Sequence, residues 1–235
     1  AVAAEEEERM LELSGITKSY GTTRVLDDVT FQVAPGRLTG FVGGNGAGKT
    51  TTMRIILGVL ARDAGTVTLD GAPVTAADRR RFGYMPEERG LYPKMRVLDH
   101  IVYLARLHGF GKADATERAE ALLVELGLGE RLNDNIETLS LGNQQRAQIA
   151  AALVHDPEVL ILDEPFSGLD PIAVDVVAGV LQSRAAAASA CCSRRTSSTS
   201  SSGCATSSSS SRAARSGRPG RATSCAPSTR SAGSS

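Results

Sequence analysis

Three features of this 235-residue sequence predict an α/β fold: a mixed sheet core, an antiparallel β section and a helical subdomain. Residues 43 to 50 read Gly-Gly-Asn-Gly-Ala-Gly-Lys-Thr, with an apolar run before them and a helix-like stretch after. Val159-Leu160-Ile161-Leu162 is a second apolar run, and it ends in Asp163 and Glu164. Strand-like and helix-like patterns alternate between and around these segments, as parallel-sheet proteins require.

The elements follow in order. Residues 1–9 include the run Glu5 to Glu8, read as a solvated, flexible N-terminal extension. The domain proper is assigned to 10–184. From Leu11 to Val42 short strands are expected: Val29, Phe31 and Val33 alternate, and Ala34-Pro35-Gly36 supplies a turn. Leu38 to Val42 forms a strand, and the stretch from Thr51 to Val59 continues the glycine-rich loop as a buried helix. Residues 65–71 read as a strand between turn signals. A helical subdomain at about 90–140 is indicated by Val97, Ile101, Leu104 and Leu107, then by Ala119, Leu122, Leu123 and Leu126, all at helical spacing. A helix-and-strand unit from Asn143 to Leu162 and a helix from about Pro171 to Arg184 complete the pattern.

The formal net charge of zero conceals an asymmetry. Up to Arg184 there are 19 basic and 26 acidic residues, a balance of −7, whereas the last 51 residues hold seven Arg and no acid. An acidic body gives no support for nucleic-acid binding as the main task, so no nucleic-acid partner is expected. No stretch approaches the ~20 apolar residues of a membrane span, and no signal peptide is visible. All four cysteines (Cys191, Cys192, Cys204, Cys225) fall in the basic tail, so the body offers no cysteine-based metal site.

The loop Gly43, Gly44, Asn45, Gly46, Ala47, Gly48, Lys49, Thr50 fits G-x-x-x-x-G-K-[ST] at every fixed position. The pattern describes a physical device. Glycines let backbone N–H groups turn inward around an anion, and the helix beginning at Lys49, Thr50 and Thr51 points its positive end there. Lys49 then reaches the β- and γ-phosphates, and the Thr50 hydroxyl is placed to ligate Mg²⁺. The chemistry implied is binding of a nucleoside triphosphate.

A buried strand ending in two carboxylates delivers them to the mouth of the sheet, beside such a loop. Asp163 would hold Mg²⁺ through water, and Glu164 would polarise an attacking water as general base. A buried strand with a merely solvated acidic turn is the competing reading, outweighed by the phosphate loop upstream.

Leu139-Ser140-Leu141-Gly142-Asn143-Gln144-Gln145-Arg146 opens a helix just before that strand. Here the chain resembles the ATP-binding subunits of ABC transporters, whose signature is usually LSGGQ; Leu139, Ser140 and Gly142 match, and Leu141 and Asn143 depart. The resemblance implies a P-loop NTPase of ABC type with ATP and Mg²⁺ as cofactors. It implies that Ser140 and Gly142 contact the γ-phosphate held by a second subunit, and that Asp170, in Phe166-Ser167-Gly168-Leu169-Asp170-Pro171, lies at that dimer interface. It implies that Tyr20 stacks on adenine. Glu87, in Gly83-Tyr84-Met85-Pro86-Glu87-Glu88, stands where the family places a catalytic, Mg²⁺-facing glutamine; it adds charge and cannot donate. Arg89-Gly90-Leu91-Tyr92-Pro93 corresponds to the edge where the family docks a membrane permease subunit.

Five motifs in order over residues about 11 to 184 carry this resemblance, which is closest to the bacterial exporter type. It implies an ATPase, acting as a homodimer or paired with another ATP-binding subunit, that powers a separate permease. The location implied is cytoplasmic, peripheral at the inner face of the membrane. Soluble ABC ATPases acting on ribosomes or DNA compete, but the former usually carry two cassettes with a charged linker and the latter a long coiled coil. A third reading is a module that binds ATP with little turnover.

The family next has an apolar strand ending in a histidine, and that is missing. His100, His108 and His155 all precede the acidic strand and read as surface or packing residues. Residues 185–235 contain no Val, Ile, Leu, Met, Phe, Tyr or Trp, and 18 of the 51 are Ser, so this segment is expected to be disordered or out of frame. Residues 189–205 are compatible with GC-biased codons that, chosen to suit and read two bases later, encode Arg-Val-Leu-Phe-Ser-Ser-His-Gln-Leu-Asp-Leu-Val-Glu-Arg-Leu-Cys. That is an apolar strand, a histidine and an amphipathic helix start. A frame change near Ala185 to Ala188 and a genuine disordered tail are the two explanations. Loss of the strand is expected to leave apolar sheet exposed.

Overall fold

A computed structural model describes residues 10–36, 38–43, 46–185, 189–195 and 209–210. In chain order these form β1 (Leu11–Tyr20), β2 (Thr23–Val33), β3 (Leu38–Gly43), α1 (Lys49–Ile56), β4 (Ala64–Leu69), β5 (Ala72–Pro73), α2 (Ala76–Arg79), β6 (Phe82–Met85), α3 (Val97–Leu107), α4 (Lys112–Glu125), α5 (Leu141–Leu153), β7 (Val159–Asp163), α6 (Pro171–Ala185), β8 (Ser189–Arg195) and β9 (Ser209–Ser210). Two short 3-10 turns, Gly129–Arg131 and Ile136–Thr138, lead into α5.

Two sheets result. An antiparallel one has the order β2-β1-β4-β5, and a parallel one the order β6-β7-β8-β3-β9. The β4–β5 hairpin turns at Asp70 and Gly71, both left-handed at φ 53° and 76°, the conformation that matches the twist of paired strands. On β2, Phe31 and Val33 point into the core as the alternation requires.

β7 is buried along its whole length, which explains its unbroken apolar sequence. Its residues alternate between two cores. Val159 and Ile161 join Leu11, Leu13, Met53 and Ile56 under the antiparallel sheet and α1. Leu160 and Leu162 join the core of the helical subdomain, α5 and α6. The Asp163 carboxylate therefore sits at the end of a strand held from both faces.

The structure differs from the sequence expectation in two places. α1 stops at Ile56, and Val59 is 77% exposed rather than buried in it, because Gly58 turns left-handed at φ 72°. On α3, Leu107 is exposed and Ala105 lies in the core: Val97, Ile101 and Ala105 share a face at four-residue steps, and Leu107, two residues past Ala105, falls on the opposite side. Within the segment expected to be disordered, Ser189–Arg195 form a strand. β8 pairs in parallel with β7 on one side and β3 on the other, placing Leu160 beside Ala190 and Thr39 beside Cys191. Two flanking strands offer unpaired N–H and C=O groups along this slot, and backbone hydrogen bonding needs no particular side chain to satisfy them. The backbone of the parallel sheet is thus continuous over 189–195.

His100 is buried and meets Tyr92 edge-on at 5.3 Å, a packing role. His108, capping α3, stacks on His155, just beyond α5, with ring centroids 3.8 Å apart.

Candidate functional site

The loop between β3 and α1 is built by glycine. Gly46 and Gly48 are left-handed at φ 80° and 78°. A Cβ on Gly48 would lie 2.4 Å from Leu26 Cδ2, so backbone freedom and close approach both demand glycine there. Gly48 is also the N-cap of α1 and supplies no side-chain cap. The first turn, Lys49, Thr50 and Thr51, therefore presents its N–H groups outward, which suits an anion. Gly44 and Asn45 lie outside the described residues.

The cleft here, about 290 Å³, runs from Val25 and residues 46–51 to Glu87, Asp163 and Glu164. The fold thus gathers Lys49, Thr50, Thr51, Glu87, Asp163 and Glu164, read from segments far apart in sequence. Asp163 is 2% exposed, and its Oδ2 accepts a 2.9 Å hydrogen bond from Thr50 Oγ1. Burial, and next the Asp163 carboxylate, push the Tyr84 phenol upward in pKa.

Glu164 has φ 56°, left-handed for a residue with a Cβ. Such backbone costs on the order of 1–3 kcal/mol and persists where the surroundings enforce it. Its carbonyl accepts from Ser167 N at 3.0 Å and from Gln145 Nε2 at 3.1 Å. The turn lifts the Glu164 side chain out of the line of β7 and onto the cleft.

Thr50 Oγ1 and the carboxylates are hard oxygen donors, the set that suits Mg²⁺. Among the described residues no group of three or more His, Cys, Asp or Glu makes a metal cage alone. A Mg²⁺ ion here would be completed by phosphate oxygens and water, as is usual for this ion.

Other candidate residues lie apart from the cleft. Tyr20 ends β1 at 51% exposure, with Lys18 Nζ 5.7 Å from its ring centroid. Ser140 is the N-cap of α5, its hydroxyl accepting from Asn143 N at 3.3 Å. Gly142 lies close to Gly168, where a Cβ would be 3.4 Å from the Gly168 carbonyl oxygen. Asp170 Oδ1 accepts from Ala173 N at 2.8 Å and so caps the start of α6.

Sequence reasoning missed Val25 in the cleft wall, which has no local signal. It also missed Gln145 and Gln148, each 4% exposed on α5. The signal was present: two glutamines three apart on a helix face otherwise made of Ala, Ile and Leu.

A glycine-built anion cradle facing a strand-end aspartate and glutamate defines a nucleoside-triphosphate-binding α/β protein. Comparison with known proteins places it more narrowly. The ABC transporter family profile matches residues 26–167, and the chain belongs to that family. It is 45% identical over 168 residues to the uncharacterized ABC transporter ATP-binding protein YhaQ of Bacillus subtilis (strain 168), covering 72% of this chain and 56% of that protein. It is 35% identical over 179 residues to the lipopolysaccharide export system ATP-binding protein LptB of Escherichia coli (strain K12), covering 73% and 74%. A solved ATP-binding subunit of an ABC transporter superposes with a TM-score of 0.70 at 32% identity, covering 79% of each chain. The chain spans about three fifths of the length of the relative YhaQ. Among the described residues no helix is long and apolar enough to cross a membrane.

Proposed function

We propose that this chain is the ATP-binding and ATP-hydrolysing subunit that powers substrate transport through a separate membrane permease. The observation that carries the reading is the juxtaposition of Thr50 and Asp163 at 2.9 Å with Glu164 beside them in the phosphate-loop cleft. Lys49 and the N–H groups of the α1 first turn hold the β- and γ-phosphates and offset their charge. Thr50 and Asp163 hold Mg²⁺, whose contribution is charge neutralisation at the phosphates. Glu164 accepts a proton from the water that attacks the γ-phosphorus, and Glu87 faces the same space as a second acceptor.

Tyr20, Ser140, Gly142 and Asp170 lie outside the cleft of a single chain, which fits a composite site. In that arrangement Tyr20 stacks on adenine, while Ser140, Gly142 and Asp170 serve the site of a second copy or a paired subunit. The exposed Tyr92, beside Leu91 and Pro93, supports docking of a permease, which would hold the chain at the inner membrane face. The names of LptB and similar relatives favour export.

The test is phosphate release from MgATP by the full chain and by Glu164→Gln. Release should fall by about 10²-fold or more in the variant while ATP binding is kept. Undiminished release by the variant removes Glu164 as the base.

One observation favours a second reading, ATP binding with little turnover. Arg195 takes the register position beside Gly43, at the loop mouth, where the family has a histidine. A frame change would account for this. Read in the alternate frame, positions 190–192 become Val, Leu and Phe between the two apolar strands, and a histidine falls at position 195. With codons chosen in this way, the register is compatible with a coding change near codons 185–188.

A further inference from the structure

We propose that Gln145 and Gln148 are positioning residues for the hydrolysis step, registering both carboxylate-bearing loops on helix α5. The proposal rests on the hydrolysis reading above. Gln145 Nε2 donates to the carbonyls of Glu164 and Pro165 at 3.1 and 3.2 Å, with Met85 Sδ 3.9 Å away. One turn on, Gln148 Nε2 donates to the carbonyls of Pro86 and Glu88 at 2.7 and 3.1 Å. Those residues flank Glu87. Two side chains on one helix face thus grip the backbone on either side of the cleft's acidic wall.

The chemistry at each position is specific. Two carbonyl acceptors require the NH₂ end of each amide, which settles its orientation. A carboxylate would repel them, and an apolar side chain would leave buried carbonyls without those donors. Gln148 Oε1 is itself buried with no hydrogen-bond partner. An apolar side chain of equal length would remove that orphaned acceptor, so packing alone does not favour glutamine here. What glutamine adds is its pair of donors, aimed at the loop of Glu87.

The Gln145 bond has a second consequence. Glu164 is held left-handed, and its carbonyl direction is set by Gln145 together with Ser167 N–H. Without Gln145, the turn retains one of these two donors, and the Glu164 carboxylate loses its fixed aim at the water site. The N-terminus of the same helix carries Ser140 and Gly142. A displacement of α5 at the signature end therefore carries both carboxylate loops with it.

The experiment uses the full chain with MgATP, comparing Gln145→Met and Gln148→Met with the parent. Methionine keeps side-chain length and volume and removes both donors. The expected result is a fall in kcat of tenfold or more, KM within about twofold, and a retained cooperative melt, since ATP binding by the loop is untouched. A kcat within twofold of the parent, or a loss carried by KM, overturns the proposal. A variant that no longer melts cooperatively makes that glutamine a folding residue and overturns the proposal for it. If the parent itself releases no phosphate, the hydrolysis reading fails separately, and amide hydrogen exchange decides. Faster exchange in peptides 164–169 and 86–91 of the variants supports the clamp, and unchanged exchange overturns it.

Discussion

Thr50 Oγ1 donates to Asp163 Oδ2 across 2.9 Å, tying the second residue of α1 to the last residue of β7 across 113 positions of sequence. A hydrogen bond to a charged group contributes about 1.5–3 kcal/mol, and Asp163 is buried. Thr50→Ala should therefore lower stability by about 1–2 kcal/mol in chemical denaturation. It should also weaken MgATP binding more than binding of metal-free ATP, because the proposed function gives the lost hydroxyl to the metal. Equal losses with and without Mg²⁺ would remove Thr50 from the metal site.

Much of this site was legible in the sequence, for a physical reason. The glycine-rich loop needs left-handed backbone at Gly46 and Gly48 and a close approach to Leu26, so residue type encodes geometry directly. Val159 to Leu162 feeds two cores at once, so the strand and its terminal carboxylates could be read from an unbroken apolar run. Elements held by backbone or by distant contacts were not legible. β8 is held by ladders to β3 and β7, and nothing in Ser189-Ala190-Cys191-Cys192 announces a strand. The left-handed turn at Glu164 receives a hydrogen bond from Gln145, nineteen residues earlier. Val59 was misplaced because Gly58 ends the helix at a point where apolar periodicity continues.

Gly65 gives a test of the antiparallel section. Its φ is 88°, and a Cβ would meet Gly15 O at 2.4 Å and Ser14 O at 2.5 Å, all backbone atoms of β1. Neither conformation nor space admits a side chain. Gly65→Ala should destabilise the chain by about 2–4 kcal/mol, since strain at left-handed φ and overpacking act together. The midpoint should fall by roughly 5–15 °C at about 2–4 °C per kcal/mol. Gly21 is also left-handed but has open space around its Cβ, so Gly21→Ala should cost about 1 kcal/mol from conformation alone. Similar losses at both sites would contradict the contact at Gly15.

The stacked pair His108 and His155 predicts a dependence on pH. Burial, then the neighbouring His108 ring, hold His155 down to a pKa of about 4, against the opposing pull of the Phe82 carbonyl and of Asp156. Asp156 is itself engaged by Arg118 and Arg184, and burial also lowers His108. A basic group with a depressed folded pKa is neutral in the fold while the unfolded chain takes up a proton. Stability is therefore full above about pH 6.5 and is lost as pH falls toward 4. Solvent screening limits the loss to on the order of 1–2 kcal/mol. Denaturation at pH 7.5 and 5.5 should show the fall, and His155→Asn should reduce it. An unchanged slope in His155→Asn would place the titration elsewhere.

The parallel sheet predicts what the coding DNA should contain. β8 occupies a position between strands that are apolar, in a sheet where β7 is buried throughout, yet its sequence is Ser, Ala, Cys, Cys, Ser, Arg, Arg. Burying a Val, Leu or Phe contributes about 1.5–3 kcal/mol, and Ser, Ala and Cys contribute less, so this strand is held mainly by its ladders. A chain restored to the alternate reading from position 189 would regain three large apolar side chains at 190–192. It should melt at least 10 °C higher than the present chain, which follows from several kcal/mol at about 2–4 °C each. It would also place a histidine at the loop mouth and raise phosphate release. Sequencing across codons 180–200 comes first. A one- or two-base difference from the present reading there would assign the tail to a changed frame. A confirmed frame, together with a restored chain that melts no higher, would make Ser189–Arg195 the strand this protein uses and bring ATP binding without turnover to the front.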